Sequence, residues 1–168
     1  MNRSLRLLTL AALLLTALPS DAAKFSYPSE DKEWFTVDIP QNWKPEIAED
    51  GTLEATSPED DAYLAFWVLE KKADINSFGD DLEAWLKQDL KKIKLNDKPL
   101  EKTVNGIEFS IFNGTAVVKE DNSEVAFEVF LFAPKRGKLG VFYCQYSPDA
   151  PGSIKKLIKI VESMELKK

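Results

Sequence analysis

Residues 104–146 read VNGIEFSIFNGTAVVKEDNSEVAFEVFLFAPKRGKLGVFYCQY, and this stretch decides the fold class. It divides into three strand-like runs, 107–118, 125–133 and 139–146, joined by short polar segments at 119–123 and 134–137. Just ahead of it, Asn105-Gly106 separates the run 99–104 from the run 107–112. Asn-Gly between two such runs is a hairpin signal, because a tight primed turn needs positive φ at both central residues. In the middle run Val125, Phe127, Val129, Leu131 and Ala133 share one parity, and Ala126, Glu128, Phe130 and Phe132 share the other. Side chains alternate across a pleat, so both faces of this strand are apolar except at Glu128. A sheet with one wet face alternates more cleanly than this. The meander therefore needs a covering layer on each side.

Outward from the meander, the flanks supply those layers. Downstream, Ile154, Leu157, Ile158, Ile160, Val161 and Met164 fill one arc of a helix over 153–164, and Lys155, Lys156, Lys159, Glu162 and Ser163 fill the other. Upstream, Leu82, Trp85, Leu86, Leu90 and Ile93 recur at helical spacing, Ser77-Phe78-Gly79-Asp80 resembles a helix start, and Lys91, Lys92 and Lys94 suit a helix C-terminus. The spacing predicts a helix over 78–94. Before it, residues 34–39, 52–56 and 62–69 read as strands, the last apolar on both parities and hence interior. Pro40 ends the first of them, since proline cannot donate to a ladder. The segment 24–31 reads as an irregular lead-in and 41–50 as a loop. Strands dominate and helices are two, which predicts an α+β domain with a mainly antiparallel sheet flanked by helices.

The chain has 168 residues, a net charge of −6, no histidine and one cysteine. Residues 1–22 carry Arg3 and Arg6, an apolar run over 7–18 and a small-x-small end at Ser20-Asp21-Ala22. That is the pattern of an export signal, and the apolar run is shorter than the roughly 20 residues a membrane span needs. Cleavage after Ala22 or Ala23 would leave one domain over 23–168, without a membrane anchor, in the periplasm or outside the cell. An acidic domain without a basic stripe suits neither nucleic acid nor anionic membrane. The lone Cys144 excludes an internal disulfide. Without histidine, Ser-His-Asp and Cys-His catalysis and His-containing zinc sites are excluded.

The remaining candidates for chemistry each have a plainer reading. Ser153-Ile154-Lys155-Lys156 matches Ser-x-x-Lys but lacks that motif's companions, so Ser153 reads as a helix cap. Cys144 lies in an apolar strand, where a thiol has a raised pKa and is inert. Glu59, Asp60 and Asp61, with Glu46, Glu49 and Asp50 nearby, lack the spacing of a calcium loop, and turns favour acids. Asp89 falls inside the predicted helix's apolar arc, where a carboxylate needs a partner. No metal or cofactor is implied. Four tryptophans punctuate the chain, and Trp43 is the one outside a periodic element, which makes it either a partner contact or a lid on the core.

The string Trp34-Phe35-Thr36-Val37-Asp38-Ile39-Pro40-Gln41-Asn42-Trp43 resembles the opening strand of the PsbP/DcrB superfamily. The element order over 25–165 fits as well. The resemblance implies an α/β/α sandwich. It also implies a protein-binding role without a catalytic triad, since the family spans an extrinsic photosystem II subunit, a Ran-binding nuclear factor, chaperones of secretion effectors and bacterial envelope proteins. No catalytic residue carries over. The reading that follows is an exported, non-catalytic module that binds a protein partner, with Trp43 as the candidate contact. The alternatives are a carrier of a small apolar ligand, which needs a cavity of several hundred Å³, and a carboxylate-based hydrolase, which needs paired acids in a cleft.

Overall fold

In the computed structural model, which describes residues 22–69, 75–96 and 98–167, the predicted meander forms the middle of a large antiparallel sheet. The strands in chain order are β1 (Ala22–Tyr27), β2 (Phe35–Pro40), β3 (Glu46–Ile47), β4 (Leu53–Thr56) and β5 (Ala62–Leu69). Helix α1 (Ile75–Leu86) follows, then β6 (Leu90–Leu95), β7 (Leu100–Val104), β8 (Ile107–Val118), β9 (Glu124–Phe132) and β10 (Leu139–Tyr146). Helix α2 (Pro151–Glu162) and the short β11 (Glu165–Leu166) close the described chain. The large sheet runs β3-β4-β5-β10-β9-β8-β6, with β7 also paired to β8, and a small sheet runs β1-β2-β11. Asn105 and Gly106 take φ of 51° and 78° at the β7–β8 turn, as the primed turn requires.

Strand parity sorts the core into two clusters, one on each face of the large sheet. Val125, Phe127, Val129 and Leu131 of β9 join Leu82 and Leu86 of α1 on one face. Phe130 and Phe132 face the other way, into a cluster with Phe35, Val37 and Ile39 of β2 and Leu157, Ile160 and Val161 of α2. At β9 both faces are covered, as its doubly apolar pattern demands. The second cover is composite, because the small sheet shares that face with α2.

Several segments depart from the sequence reading, among them the expected loop 41–50, which holds the short strand β3 paired with β4. The first half of the expected lead-in 24–31 is strand, since β1 pairs with β2 from Ala22↔Pro40 to Tyr27↔Phe35. Its hydrogen-bond partners are supplied by β2, and the alternation Lys24-Phe25-Ser26-Tyr27 is too short to signal a strand without them. The helix expected over 78–94 stops at Leu86, and Leu90–Leu95 is a strand on β8. Leu90 and Ile93 match a helical spacing, but β8 is twelve residues long and β7 occupies only Ile107–Ile111. The rest of that edge is available for pairing, and β6 takes it with a register shift between Lys91 and Lys94 and Lys92 at φ 53°. Helix α1 begins at Ile75, so Ser77 lies within its first turn and not at its cap. The leader expected over 1–22 lies outside the described residues except Ala22, which belongs to β1.

Helix α2 begins with Pro151, whose missing N–H is an orphan at that position in any case. Its other end is tied down from outside: Asn105 of the hairpin donates from Nδ2 to the Glu162 carbonyl at 2.6 Å, and the Asp38 amide donates to Ser163 Oγ at 2.8 Å. Leu157, Ile160, Val161 and Met164 are buried as expected, but Ile158 is 48% exposed. Ile158 sits at the edge of the arc, which is narrower than its six apolar residues suggested. Leu157→Ala is therefore expected to cost about 2–5 kcal/mol, whereas Ile158→Ala, like Lys159→Ala, should stay within about 0.5 kcal/mol. Urea midpoints of the three variants check this, and equal shifts for Leu157 and Ile158 would contradict the burial pattern.

Candidate functional site

Trp43 is wholly buried, at the end of a 3-10 turn (Gln41–Trp43) closed by Lys44 in the left-handed region. It belongs to the core between the small sheet, α2 and the large sheet. The lid reading describes it, and its ring offers no surface for a partner contact. Its indole Nε1 is the one buried side-chain polar atom among the described residues without a hydrogen-bond partner.

The other candidates resolve in the same structural direction. Cys144 is buried on β10, and burial together with the nearby Glu128 carboxylate pushes its thiol well above the ordinary range. Ser153 is the third residue of α2, while Ala150 occupies the cap position. The Ser153 hydroxyl donates to Asp61 Oδ1 at 2.7 Å, and Ser57 donates to the same oxygen at 2.6 Å. These bonds hold the Asp61 carboxyl below its usual range and tie the β4–β5 turn to α2. Among the described residues, no three acidic or cysteine side chains converge on a point a metal ion could occupy. Asp89 lies in the turn between α1 and β6 and is exposed.

That exposed Asp89 marks a site the sequence reading passed over. On β5 Tyr63, Ala65 and Trp67 share the parity that faces α1; on β10 Tyr143 and Gln145 do, and on β4 Glu54 does. Register sets them side by side: Tyr63 opposite Gln145, Ala65 opposite Tyr143 and Glu54 opposite Ala65. Helix α1 packs its Trp85 against Trp67, with ring centroids 5.1 Å apart, and against Tyr143 at 5.3 Å and 82°. It then ends at Leu86, leaving the β4–β5 side of this face uncovered. The result is an open cleft of about 470 Å³ lined by Tyr63, Trp67, Trp85 and Tyr143 together with Asp50, Glu54 and Asp89. The small Ala65 leaves room at its floor.

The cleft's charge is of one sign. Among the described residues no lysine or arginine lines it, and none is paired with Asp50, Glu54 or Asp89. Burial raises the Tyr63 hydroxyl far above its ordinary value, and it donates to Glu54, whose charge adds to the shift with those of Asp50 and Asp89. Tyr143 is raised by burial as well, and its hydroxyl donates to Gln145 Oε1 at 2.8 Å. Asp50 accepts from the Thr52 amide at 2.9 Å, which lowers its pKa. Both tyrosines therefore stay protonated as donors, while the rim carries negative charge.

A second groove of about 210 Å³ lies between α2 and the strands β7–β10, with Leu100 and Ile158 exposed at its rim. Glu128, Lys102 and Asn113 are in its wall, and burial raises the Glu128 carboxyl. Its volume is below the roughly 300 Å³ at which pockets enclose small ligands. It does not supply the chamber an apolar-ligand carrier needs.

The architecture has counterparts among solved structures. The solution structure of cyanobacterial PsbP (CyanoP) from Synechocystis sp. PCC 6803 superposes with a TM-score of 0.60 at 15% identity, covering 90% of this chain and 96% of that one. The fold is PsbP-like. A protein of unknown function from Pseudomonas aeruginosa shares it at TM-score 0.51 and 11% identity, over 88% of this chain and 98% of that one. A crystal structure from Bacteroides thetaiotaomicron matches at TM-score 0.53 and 14% identity over 80% of this chain. The present chain spans 46% of that protein's length. No family model matches the sequence, and no curated protein is significantly similar to it. At these identities the PsbP-like likeness is one of fold. No helix among the described residues is long and apolar enough to cross a membrane.

Proposed function

We propose that this protein is an exported accessory module that binds a protein partner through the cleft on the α1 face and performs no chemistry of its own. The observation that carries this reading is the cleft: three part-exposed aromatic rings, Tyr63, Trp67 and Trp85, stand beside three carboxylates over the buried Tyr143, where α1 stops short. Surface aromatics that the fold has not covered are the residues that most often anchor a partner. The leader-like residues 1–22 support export. A non-catalytic role is supported by the absence of histidine, the burial of Cys144 and the engagement of Ser153 with Asp61.

The test is capture of partners from an envelope extract of the native host by the immobilised protein. Trp67→Ala is expected to remove a specific band while melting remains cooperative, and Lys159→Ala, on the far side, should keep it. Capture that is unaffected by Trp67→Ala would overturn the assignment of this cleft.

A further inference from the structure

We infer that the group this cleft recognises is an organic cation, a lysine or arginine side chain carried on a basic segment of the partner, an inference that rests on the cleft being the partner's docking site. Trp67, Trp85 and Tyr63 are half-buried, so each has ring surface in reach of a ligand. Their rings are the natural seat of an ammonium or guanidinium, which the electron-rich face attracts. The protein uses this contact internally at Trp34, where Lys138 Nζ lies 5.4 Å from the ring centroid. Among the described residues, no lysine or arginine is placed over Trp67 or Trp85 in the same way.

The distribution of the acids decides the class of cation. Asp50, Glu54 and Asp89 line the cleft without converging as a metal ion would require. A spread of negative charge around aromatic walls suits a long amphipathic side chain, with its stem on the rings and its head among the carboxylates. A volume of about 470 Å³ accepts such a chain.

The acidic character also continues beyond the cleft, and this identifies the source as a chain segment. A neighbouring hollow of about 320 Å³ shares Tyr63, Val118 and Gln145 with the cleft and is lined by Asp60, Asp61, Asp121 and Glu124. A single small amine would use only the first hollow. A segment with basic residues at intervals would use both, and charge complementarity of this kind sets both on-rate and specificity. A second copy of this chain is the wrong occupant, because its net charge is −6 as well.

The experiment is a titration of the full chain's tryptophan fluorescence with three probes: hexalysine, N-acetyl-lysine methylamide and hexaglutamate. Hexalysine is expected to shift the emission and to bind about tenfold more weakly to the Glu54→Gln/Asp89→Asn double variant, which keeps side-chain size and removes charge. Raising the salt to about 0.5 M should weaken it similarly. Hexaglutamate should give no shift, and the single lysine derivative should bind at least about tenfold more weakly than hexalysine. No response to hexalysine, or equal affinity in the double variant, overturns the inference. Equal affinity for the single lysine derivative overturns the segment as source and leaves a free amine as the ligand. If Trp67→Ala abolishes capture of the partner while no cationic probe binds, the docking site stands and its cationic specificity falls. If hexalysine binds as expected while capture ignores Trp67→Ala, the cation site stands and the docking assignment falls.

Discussion

Alanine in place of Trp43 is expected to destabilise the protein by about 3–5 kcal/mol, a large part of the roughly 5–15 kcal/mol that holds a domain together. The ring is 0% exposed and sits where the small sheet, α2 and the large sheet meet. Removing it leaves a cavity that surrounding β-strands, fixed by their ladders, cannot collapse to fill. Trp43→Phe should cost clearly less. It keeps most of the buried ring and deletes the unpartnered Nε1–H, whose burial without a hydrogen bond itself costs about 1–3 kcal/mol. The measurement is the urea midpoint at unchanged slope. Partner capture by Trp43→Phe should equal that of the native protein. A stable Trp43→Ala variant would contradict the burial and restore the surface reading.

Gly114→Ala should be damaging for a different reason. Gly114 lies in β8 opposite Phe127 of β9 and Leu95 of β6. A Cβ there would collide with the Lys94 carbonyl oxygen and come within 2.9 Å of Phe127 Cζ. A flexible side chain could swing away, but the Lys94 carbonyl is main chain at the β6 register shift and Phe127 is fully buried. The added methyl must therefore push β6 off β8 or distort the meander. The expected loss is about 3 kcal/mol, the upper end of ordinary overpacking costs. Gly152→Ala is the control: a Cβ there meets nothing within 4 Å, and the position is helical. It should be neutral or stabilising by up to about 1 kcal/mol. Thermal midpoints of the two variants should move apart, and a neutral Gly114→Ala would show that β6 is not held where the structure places it.

The candidate site was less legible in the sequence than the fold. Tyr63, Trp67, Trp85 and Tyr143 read as core because aromatics at strand and helix spacing usually are. A signal was present: Glu54, Tyr63 and Gln145 share the parity of core positions yet are polar, which an entirely covered face would not tolerate. Recognising it required knowing that β4, β5 and β10 are neighbours, and no local pattern states that. For Trp43 the loop setting left two readings open, a partner contact or a lid on the core, and its burial between the small sheet, α2 and the large sheet is what the lid describes.

The sequence by itself determined the α+β class, the β8–β9–β10 meander, the Asn105-Gly106 turn and the apolar seam of α2. It also excluded histidine chemistry and an internal disulfide. These are local properties, set by alternation, helical period and composition within a dozen residues. Only the tertiary structure decided that 90–95 pairs as a strand, that β1 joins β2, that Ile158 is exposed, and that α1 ends short of Asp50, Glu54 and Asp89. Each of these depends on what a distant segment offers: a free strand edge to bond to, or a face left uncovered. A hydrogen-bonded edge stabilises whichever segment can reach it, so Leu90–Leu95 follows β8 where its own spacing also suits a helix.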